Sequence, residues 1–383
     1  MSANQTPPRR YRFGFVLTTA AGNQTRYLNL RKYADRDPET ECVWAPISHF
    51  LEPDPYRNLP RPLATRLVVA RQARPVMKQL RALDAVMFHA FEPYAWTALR
   101  SVAHRRPAIV WSQDNPPLAD PSAHPQSRYG DAHVRSDWRA RLRFAFDRWC
   151  AGRTALFLPF STWAAEVLVR ECGISAERVQ PIHAGLDLEL WPYLPKEPEA
   201  GLQPDRRTRI LFVGGDFERK GGLLLLDAFG RFASCAELHL VTGSAPVELP
   251  QNVHIHSGLM PNDSRLRQLY ADCDLFVLPT RADMSSWAAL EAMATGRPVI
   301  ISGTGGIPDL IEDGVSGYLI PPDDRAALDD RMSRLVLESN LRARLGAAAR
   351  ARVEQHFNAA KNVPRILEAM KRAVDNRLTA TRR

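Results

Sequence analysis

The residues best suited to chemistry lie in three glycine-containing segments of the C-terminal half. The first, GGDFERKGG, joins Gly214 and Gly215 to the adjacent cations Arg219 and Lys220. Glycines let a backbone approach a ligand closely, and a helix that starts after them offers N–H groups and a positive dipole end. Arg and Lys both bind phosphate oxygens. The segment therefore predicts a diphosphate site, and a surface turn with two solvated cations is the alternative.

The second segment, PTRADMSSWAALEAMA, carries two acids separated by seven residues, Asp283 and Glu291. Asp283 falls in the loop after a predicted strand, and Glu291 falls within the next helix. An acid in so apolar a helix is expected to be paired or to bind a ligand. We interpret both carboxylates as acceptors of hydrogen bonds from the hydroxyls of a ribose or hexose. For Asp283 a helix cap is the alternative, with Ser285 or Ser286 as rival caps.

The third segment, GTGGIPDLIEDGVSG, joins a strand to a short helix. Gly305 and Gly306 would let the backbone approach a ligand at that junction. Asp309 falls in the first helical turn, where the helix dipole favours an acid in any case. The second half of the segment, EDGVSG, reads as a turn.

The elements that position these segments alternate between strand and helix. The apolar runs predict strands at residues 209–215, 237–243, 252–257, 274–280 and 298–302, with helices at 222–232, 265–271, 286–294 and 308–312. Strands that are apolar throughout indicate a parallel sheet covered on both faces. The three segments would then share the carboxyl edge of this sheet, which lines the ligand crevice in open α/β folds.

The N-terminal half shows the same alternation less clearly. It predicts strands at residues 13–18, 85–89, 108–112, 155–159 and 180–183, and a helix at 162–170. The chain thus reads as an α/β protein with domains at 1–192 and 208–360 and a proline-rich linker at 193–207. The tail is helical from residue 326, and residues 363–377 are amphipathic. A last helix, 361–383, is expected to cross back to the first domain.

The order of these motifs resembles the retaining glycosyltransferases of family four, which have the GT-B fold. The match runs GG…RKG, acid-x7-EAMA-x-G-x-PV, then GG-x-P-acid…DG…G, and it covers residues 209 to about 357. The N-terminal half matches more loosely through PIHAGLDLELW, where Ala184 replaces the usual Asn. The resemblance implies two Rossmann-like domains that face each other across a cleft, the first binding an acceptor and the second a nucleotide-sugar donor.

The resemblance also implies roles for the residues of the C-terminal half. Arg219 and Lys220 match the pair that holds the donor diphosphate, beside Gly214 and Gly215 of the same loop. Glu291 matches the acid that bonds the nucleotide ribose. Asp283 lies where the family has Glu facing the transferred sugar, so Asp283, Arg219 and Lys220 are candidate catalytic residues.

Five further positions follow from the same resemblance. Gly305 and Gly306 match the glycines beside the donor. Gly22, with Asn23, falls in the loop that approaches the diphosphate and acceptor. His89 ends a predicted strand where the family has a cleft histidine and is a further candidate catalytic residue, with a structural histidine as the alternative.

Besides Ala184, the chain departs from the family pattern at two places in its C-terminal half. It reads Asp283-Met284-Ser285-Ser286 where family members read EGFG, and Asp309 replaces a Glu. The shorter acid and the missing glycines should alter the sugar pocket. Changed donor choice and lost activity are both consistent with that change.

The resemblance implies transfer of a sugar from a nucleoside-diphosphate sugar, with UDP or GDP as the nucleotide, to a hydroxyl of a glycan, a lipid-linked acceptor or a small molecule. The resemblance also implies retention at the anomeric carbon. No DxD-type metal motif stands out, and the fold class that the chain resembles works without one, so we expect a metal-independent reaction with no bound cofactor. A GT-B-fold sugar-nucleotide epimerase and a catalytically inactive partner subunit are the alternative hypotheses.

Charge and cysteine content bear on partners and location. The net charge of +9 lies mainly in the N-terminal half, and no nucleic-acid-binding motif accompanies it, so we expect no nucleic-acid partner. The five cysteines show no disulfide or metal spacing, which fits a reducing compartment. We expect a cytoplasmic protein. The arginine-rich segment 133–153 could contact an anionic membrane at its inner face, and a buried domain helix is the alternative.

Overall fold

A computed structural model describes residues 10–19, 22–48, 56, 58–89, 91–100, 107–114, 138–196, 206–244 and 248–382. Within these ranges the chain forms two parallel β-sheets, each packed against helices. Most strand residues are buried, which agrees with their apolar sequences. The predicted α/β class is therefore confirmed.

The first sheet has the strand order β2-β1-β3-β4-β5, with every neighbouring pair parallel. Its strands are β1 (Tyr11–Thr18), β2 (Thr40–Ile47), β3 (Ala85–Phe88), β4 (Ala108–Trp111) and β5 (Leu156–Phe157). The helices of this half are α1 (Asn23–Ala34), α2 (Arg61–Lys78), α3 (Phe91–Arg100), α4 (Trp138–Arg153) and α5 (Thr162–Arg170).

The second sheet has the order β11-β10-β9-β6-β7-β8 and is also parallel throughout. Its strands are β6 (Thr208–Val213), β7 (Ala236–Val241), β8 (Val253–His256), β9 (Leu275–Leu278), β10 (Val299–Ser302) and β11 (Tyr318–Ile320). The helices are α6 (Gly222–Phe229), α7 (Ser264–Asp272), α8 (Trp287–Ala294), α9 (Arg325–Leu337), α10 (Ser339–His356) and α11 (Ala359–Arg382).

The sequence analysis missed one edge strand of each sheet. Strand β2 begins with polar residues and contains Pro46, which an edge strand tolerates because one side of its backbone carries no ladder bonds. Strand β11 has only three residues, directly after the predicted turn EDGVSG, and was not predicted. Two predicted elements were wrong: residues 180–183 form no strand, and the helix at 308–312 is a single 3₁₀ turn over Ile307–Asp309.

Helix α11 returns to the first sheet, as its amphipathic pattern predicted. Its apolar face, including Leu367 and Met370, is buried in the same cluster as Phe15 of β1. The buried Lys371, one turn after Leu367, has its ammonium bonded to Glu39 at 2.7 Å and 3.1 Å from Asp37. The C-terminal end of the chain thus holds the two halves together.

The arginine-rich segment 133–153 is mainly helix α4, and its residues 133–137 lie outside the described ranges. Cys150 and Ala151 are buried in the core of the first domain, and Phe146 and Trp149 pack against that core. This packing favours the domain-helix alternative. Across the described ranges, we find no helix that combines the length and the apolar character needed to cross a bilayer.

Helix α10 approaches the end of α8 most closely at Gly346, where an added Cβ would lie 2.1 Å from the Gly296 carbonyl oxygen. Alanine normally stabilises a helix interior relative to glycine by about 0.5–1 kcal/mol. Here we expect Gly346→Ala to lower the free energy of unfolding by about 1–3 kcal/mol through overpacking. Denaturant unfolding measures the change.

Gly152 in α4 is the matched control, because an added Cβ there meets no atom within 4 Å. We expect Gly152→Ala to be neutral or to stabilise the protein by up to about 1 kcal/mol. Equal effects of the two substitutions would contradict the close helix approach that positions α8.

Candidate active site

The loop after β6 is folded tightly against the end of β9. Gly221 has φ +78°, and an added Cβ there would lie 1.8 Å from the Pro279 carbonyl oxygen. The Arg281 N–H donates to the Arg219 carbonyl at 2.9 Å, which joins the two loops through their backbones. Gly221, which follows the two cations, is therefore required for this packing. The packing places Arg219 and Lys220 between β6 and β9.

Lys220 and Asp283 form a buried ion pair across these two loops. The Lys220 ammonium contacts the Asp283 carboxylate, and only 15% and 2% of their side chains are exposed. The second Asp283 oxygen accepts the Met284 N–H at 3.0 Å. Helix α8 is capped by Ser286, whose hydroxyl accepts the Ala289 N–H at 3.2 Å. The helix-cap alternative for Asp283 is thus wrong.

Arg219 bridges the same two loops on their outer side. Its Nε donates to Asp216 at 2.9 Å, and its Nη1 donates to the Ala282 carbonyl at 2.8 Å. The guanidinium of Arg219 therefore orders the loop that carries Asp283, and its predicted role in holding a diphosphate stays a prediction.

Glu291 lies one turn into α8 and is 5% exposed. Burial raises the pKa of its carboxyl to about 8, and the nearby Tyr270 hydroxyl opposes part of this shift. At neutral pH the carboxyl is thus mainly protonated. A neutral carboxyl can donate a hydrogen bond as well as accept one, which suits a sugar hydroxyl that does both.

The third segment packs against the loop that carries Asp283. Gly305 has φ +54°, and an added Cβ there would lie 2.6 Å from the Asp283 carbonyl oxygen. The Gly306 N–H donates to the Met284 carbonyl at 2.8 Å. The three motif segments therefore meet at one edge of the second sheet, as predicted. In this arrangement Gly305 and Gly306 allow loop packing and lie next to the acid rather than in open space.

Other glycines leave that edge uncovered. An added Cβ would meet no atom within 4 Å at Gly215, Gly243 or Gly303, which follow β6, β7 and β10. Gly214 differs, since its Cβ would lie 3.0 Å from the Lys220 side chain. The carboxyl edge thus offers exposed backbone beside the buried ion pair.

The first domain presents the start of α1 and the end of β3 to this edge. Gly22 precedes α1 without any side-chain cap, and an added Cβ there would lie 2.9 Å from the Trp287 ring at the start of α8. Asn23, the first residue of α1, is half-buried. His89 follows β3, is largely buried and stacks on Phe160 with ring centroids 6.3 Å apart. The structure brings Gly22 and Asn23 to the domain contact.

A buried polar cluster in the first domain was missed by the sequence analysis. Arg26 donates to the Ser112 hydroxyl at 2.8 Å and lies over the Phe160 ring at 4.1 Å. Asp114 accepts the Phe160 N–H at 2.6 Å. Burial raises the pKa of Asp114 to about 7 and lowers that of Arg26 to about 9. Ser112 and Asp114 directly follow a buried strand, and that position was the available signal.

Asp309 links the two domains. Its carboxylate accepts both the N–H and the hydroxyl of Thr162, each at 2.6 Å, at the start of α5. The His183 ring lies 3.9 Å from the same carboxylate. The acid that follows the paired glycines therefore contacts the first domain.

Comparison with known proteins agrees with this arrangement. The family model described as Glycosyltransferase Family 4 matches residues 20–190, and the model described as Glycosyl transferases group 1 matches residues 207–338. Among curated proteins, MMP alpha-(1->4)-mannosyltransferase of Mycolicibacterium hassiacum is 26% identical over 84% of this chain and 83% of its own length.

Solved structures share the fold. Sucrose-phosphate synthase from Thermosynechococcus elongatus superposes with a TM-score of 0.74 at 18% identity, over 95% of this chain and 99% of that one. Anabaena HepE in complex with UDP-glucose gives 0.67 at 17% identity, over 94% and 99% of the two chains. The two sheets facing each other across a cleft are therefore an arrangement known from other enzymes.

Because Lys220 is paired with a buried carboxylate, Lys220→Met tests how much the ion pair contributes to the free energy of unfolding. Removing the amine leaves the Asp283 charge in a buried position, so we expect the free energy of unfolding to fall by about 3 kcal/mol. Adding Asp283→Asn should restore part of that loss, because the uncompensated charge is removed. Denaturant unfolding of both single variants and the double variant measures the coupling. Additive losses would show that the two side chains do not interact. Lys361→Met, at an exposed position near the start of α11, serves as the control.

The raised pKa of Glu291 predicts a pH-dependent contribution to stability. The folded chain holds this proton more tightly than the unfolded chain, where the ordinary pKa is 4.5. Its stabilisation is present below that pH and is lost as the pH rises towards about 8, at roughly 1.4 kcal/mol per unit. We therefore expect Glu291→Gln to gain stability relative to wild type between about pH 5 and pH 8.

Urea unfolding at several pH values measures this difference. The exposed Glu166→Gln on α5 is the control and should keep a nearly constant offset from wild type. A constant offset for Glu291→Gln as well would mean that the Glu291 carboxyl is already ionised at pH 5.

Proposed function

Because this chain belongs to the family 4 glycosyltransferases and has their GT-B fold, we propose that it transfers a hexose from a UDP-sugar to a hydroxyl acceptor, with retention and without a metal ion. The observation that carries this proposal is the buried Lys220–Asp283 pair at the carboxyl edge, between the starts of α6 and α8. It sets a cation and an acid side by side where a diphosphate and its sugar would lie. The HepE complex with UDP-glucose supports uridine as the nucleotide.

We assign the diphosphate to the start of α6. Gly221 precedes this helix without a side-chain cap, and the Gly222 N–H donates to the Phe217 carbonyl at 2.8 Å, so the N–H groups of Leu223 and Leu224 are the ones that can bind phosphate oxygens. Lys220 stands next to them and adds a positive charge, with Arg219 holding the loop and reaching the outer phosphate. The Glu291 carboxyl would then bond the ribose, and Asp283 would bond hydroxyls of the transferred sugar.

The proposed reaction uses these positions. An acceptor hydroxyl attacks the anomeric carbon on the face from which the phosphate leaves, and the bond from that carbon to the phosphate oxygen breaks. The hydroxyl proton passes to the departing phosphate oxygen, so no protein base is required. Lys220 and the α6 dipole stabilise the charge that develops on the leaving group. Attack from the same face preserves the anomeric configuration.

Acceptor binding is assigned to the first domain. The start of α1, with Gly22 and Asn23, faces the first turn of α8, and His89 lies at the end of β3. A glycan, a lipid-linked sugar and a small alcohol remain the acceptor classes. We propose a cytoplasmic location and peripheral contact with an anionic membrane on the sequence alone.

Nucleotide release from UDP-, GDP- and ADP-hexoses, measured with chelator present, tests the donor proposal. We expect slow UDP release from one UDP-hexose. Lys220→Met should lower the rate about 10²–10³-fold, since it removes the charge that stabilises the leaving group. Glu291→Ala should mainly weaken nucleotide binding, by roughly tenfold, through one lost hydrogen bond.

Gly152→Ala is the control and should keep wild-type turnover. Preference for a GDP- or ADP-sugar would overturn the uridine assignment, and loss of activity on chelation would overturn metal independence. UDP binding without turnover on any acceptor would favour the inactive partner subunit. Conversion of the sugar without an acceptor would favour the epimerase.

A further inference from the structure

Three histidines and a glutamate gather at the outer edge of the second sheet. His239 of β7 and His254 of β8 are direct partners in the parallel register. Glu237 and His256 lie two residues before and after them on the same strands, so all four side chains project from one face. The His239 ring stacks on His254 with centroids 4.9 Å apart, and on His256 with centroids 5.3 Å apart.

The hydrogen bonds of His239 leave one of its ring nitrogens facing an acid. Its Nδ1 lies 3.0 Å from the His256 Nε2, which is a good hydrogen-bond distance. Its Nε2 is buried without a hydrogen-bond partner and lies 3.6 Å from a Glu237 carboxylate oxygen. That separation is too long for a hydrogen bond. A buried nitrogen thus points at a carboxylate without bonding it.

The two contacts of His239 divide its ring nitrogens between a hydrogen bond to His256 and an approach to the Glu237 carboxylate. In the tautomer whose Nδ1–H donates to His256, the lone pair of the His239 Nε2 is directed towards the Glu237 carboxylate. A cation between nitrogen and oxygen would satisfy both.

We propose that Glu237, His239 and His254 bind a Zn²⁺ ion at the β7–β8 edge, with His256 orienting the His239 ring. One ligand atom from each of the three residues lies within 4.8 Å of the other two. Tetrahedral zinc, with bonds near 2.0–2.1 Å, needs ligand atoms about 3.4 Å apart, so the side chains would rotate towards the ion on binding. The two imidazole ligands favour zinc over magnesium, which prefers oxygen ligands alone. A water molecule would complete the coordination.

The site is separate from the proposed donor cleft. Strand β8 is the edge strand farthest from β10 and β11, whereas the cleft loops follow β6, β9 and β10. The ion would tie the exposed edge strand β8 to β7, so its expected effect is on stability. The inference does not rest on the proposed transferase reaction.

Calorimetric titration of the full chain, freed of metal by chelator and dialysis, tests the proposal. We expect one Zn²⁺ per chain and a higher Tm with Zn²⁺ than with the same concentration of Mg²⁺. His254→Gln and Glu237→Gln should each weaken Zn²⁺ binding at least about 10²-fold by removing a ligand. His256→Gln should weaken it about 10–100-fold, as expected for a residue that orients a ligand.

His356→Gln, at the end of α10 and outside this cluster, is the matched control and should bind Zn²⁺ like wild type. Wild-type affinity in His254→Gln would overturn the proposal, and so would a Tm that rises equally with Mg²⁺. Should a variant fold poorly, Co²⁺ titration of the wild-type chain decides, because tetrahedral Co²⁺ absorbs strongly in the visible range. A spectrum of fully hydrated Co²⁺ would then overturn the site.

Discussion

The active-site edge depends on one buried ion pair. Lys220 and Asp283 come from loops after different strands, and both side chains are removed from water. Such a pair is stable only if its geometry is held, because desolvation of either charge alone is costly. Gly221 allows the Lys220 loop to reach Pro279, and Gly305 brings a third loop against Asp283. The glycines of the motif thus place the charges that the chemistry needs.

Much of this arrangement could be predicted from the sequence because strands covered on both faces are apolar throughout. The central strands β6, β9 and β10 were predicted for that reason. The loops that follow them were predicted to lie together because the carboxyl ends of parallel strands meet at one edge of the sheet. Edge strands lack this pattern. Strand β2 was therefore not predicted because it contains Pro46, and β11 was not predicted because it has only three residues. The domain limits at residues 192, 208 and 360 and the functional roles of the site residues stay predictions.

The remaining features arise only when distant segments meet. No local pattern shows that Arg26 would reach Ser112, or that Asp114 would bond the backbone beside Phe160. The pKa of Glu291 near 8 likewise depends on burial against Tyr270, which comes from another helix. Sequence identified Glu291 as unusual because acids are rare in apolar helices, but its protonation is a consequence of packing.

Asp309 shows how the two domains and the donor loops are coupled. Its turn follows β10 and bonds Thr162 of the first domain. Gly306 lies three residues before Asp309, and its N–H donates to the carbonyl of Met284, next to Asp283. Any movement that opens the domains at this point must break the bonds between Asp309 and Thr162, and Asp309 belongs to the same turn as the Gly306 that supports the Asp283 loop. By linkage, a donor that binds more tightly to the supported Asp283 must favour the closed arrangement by the same free energy.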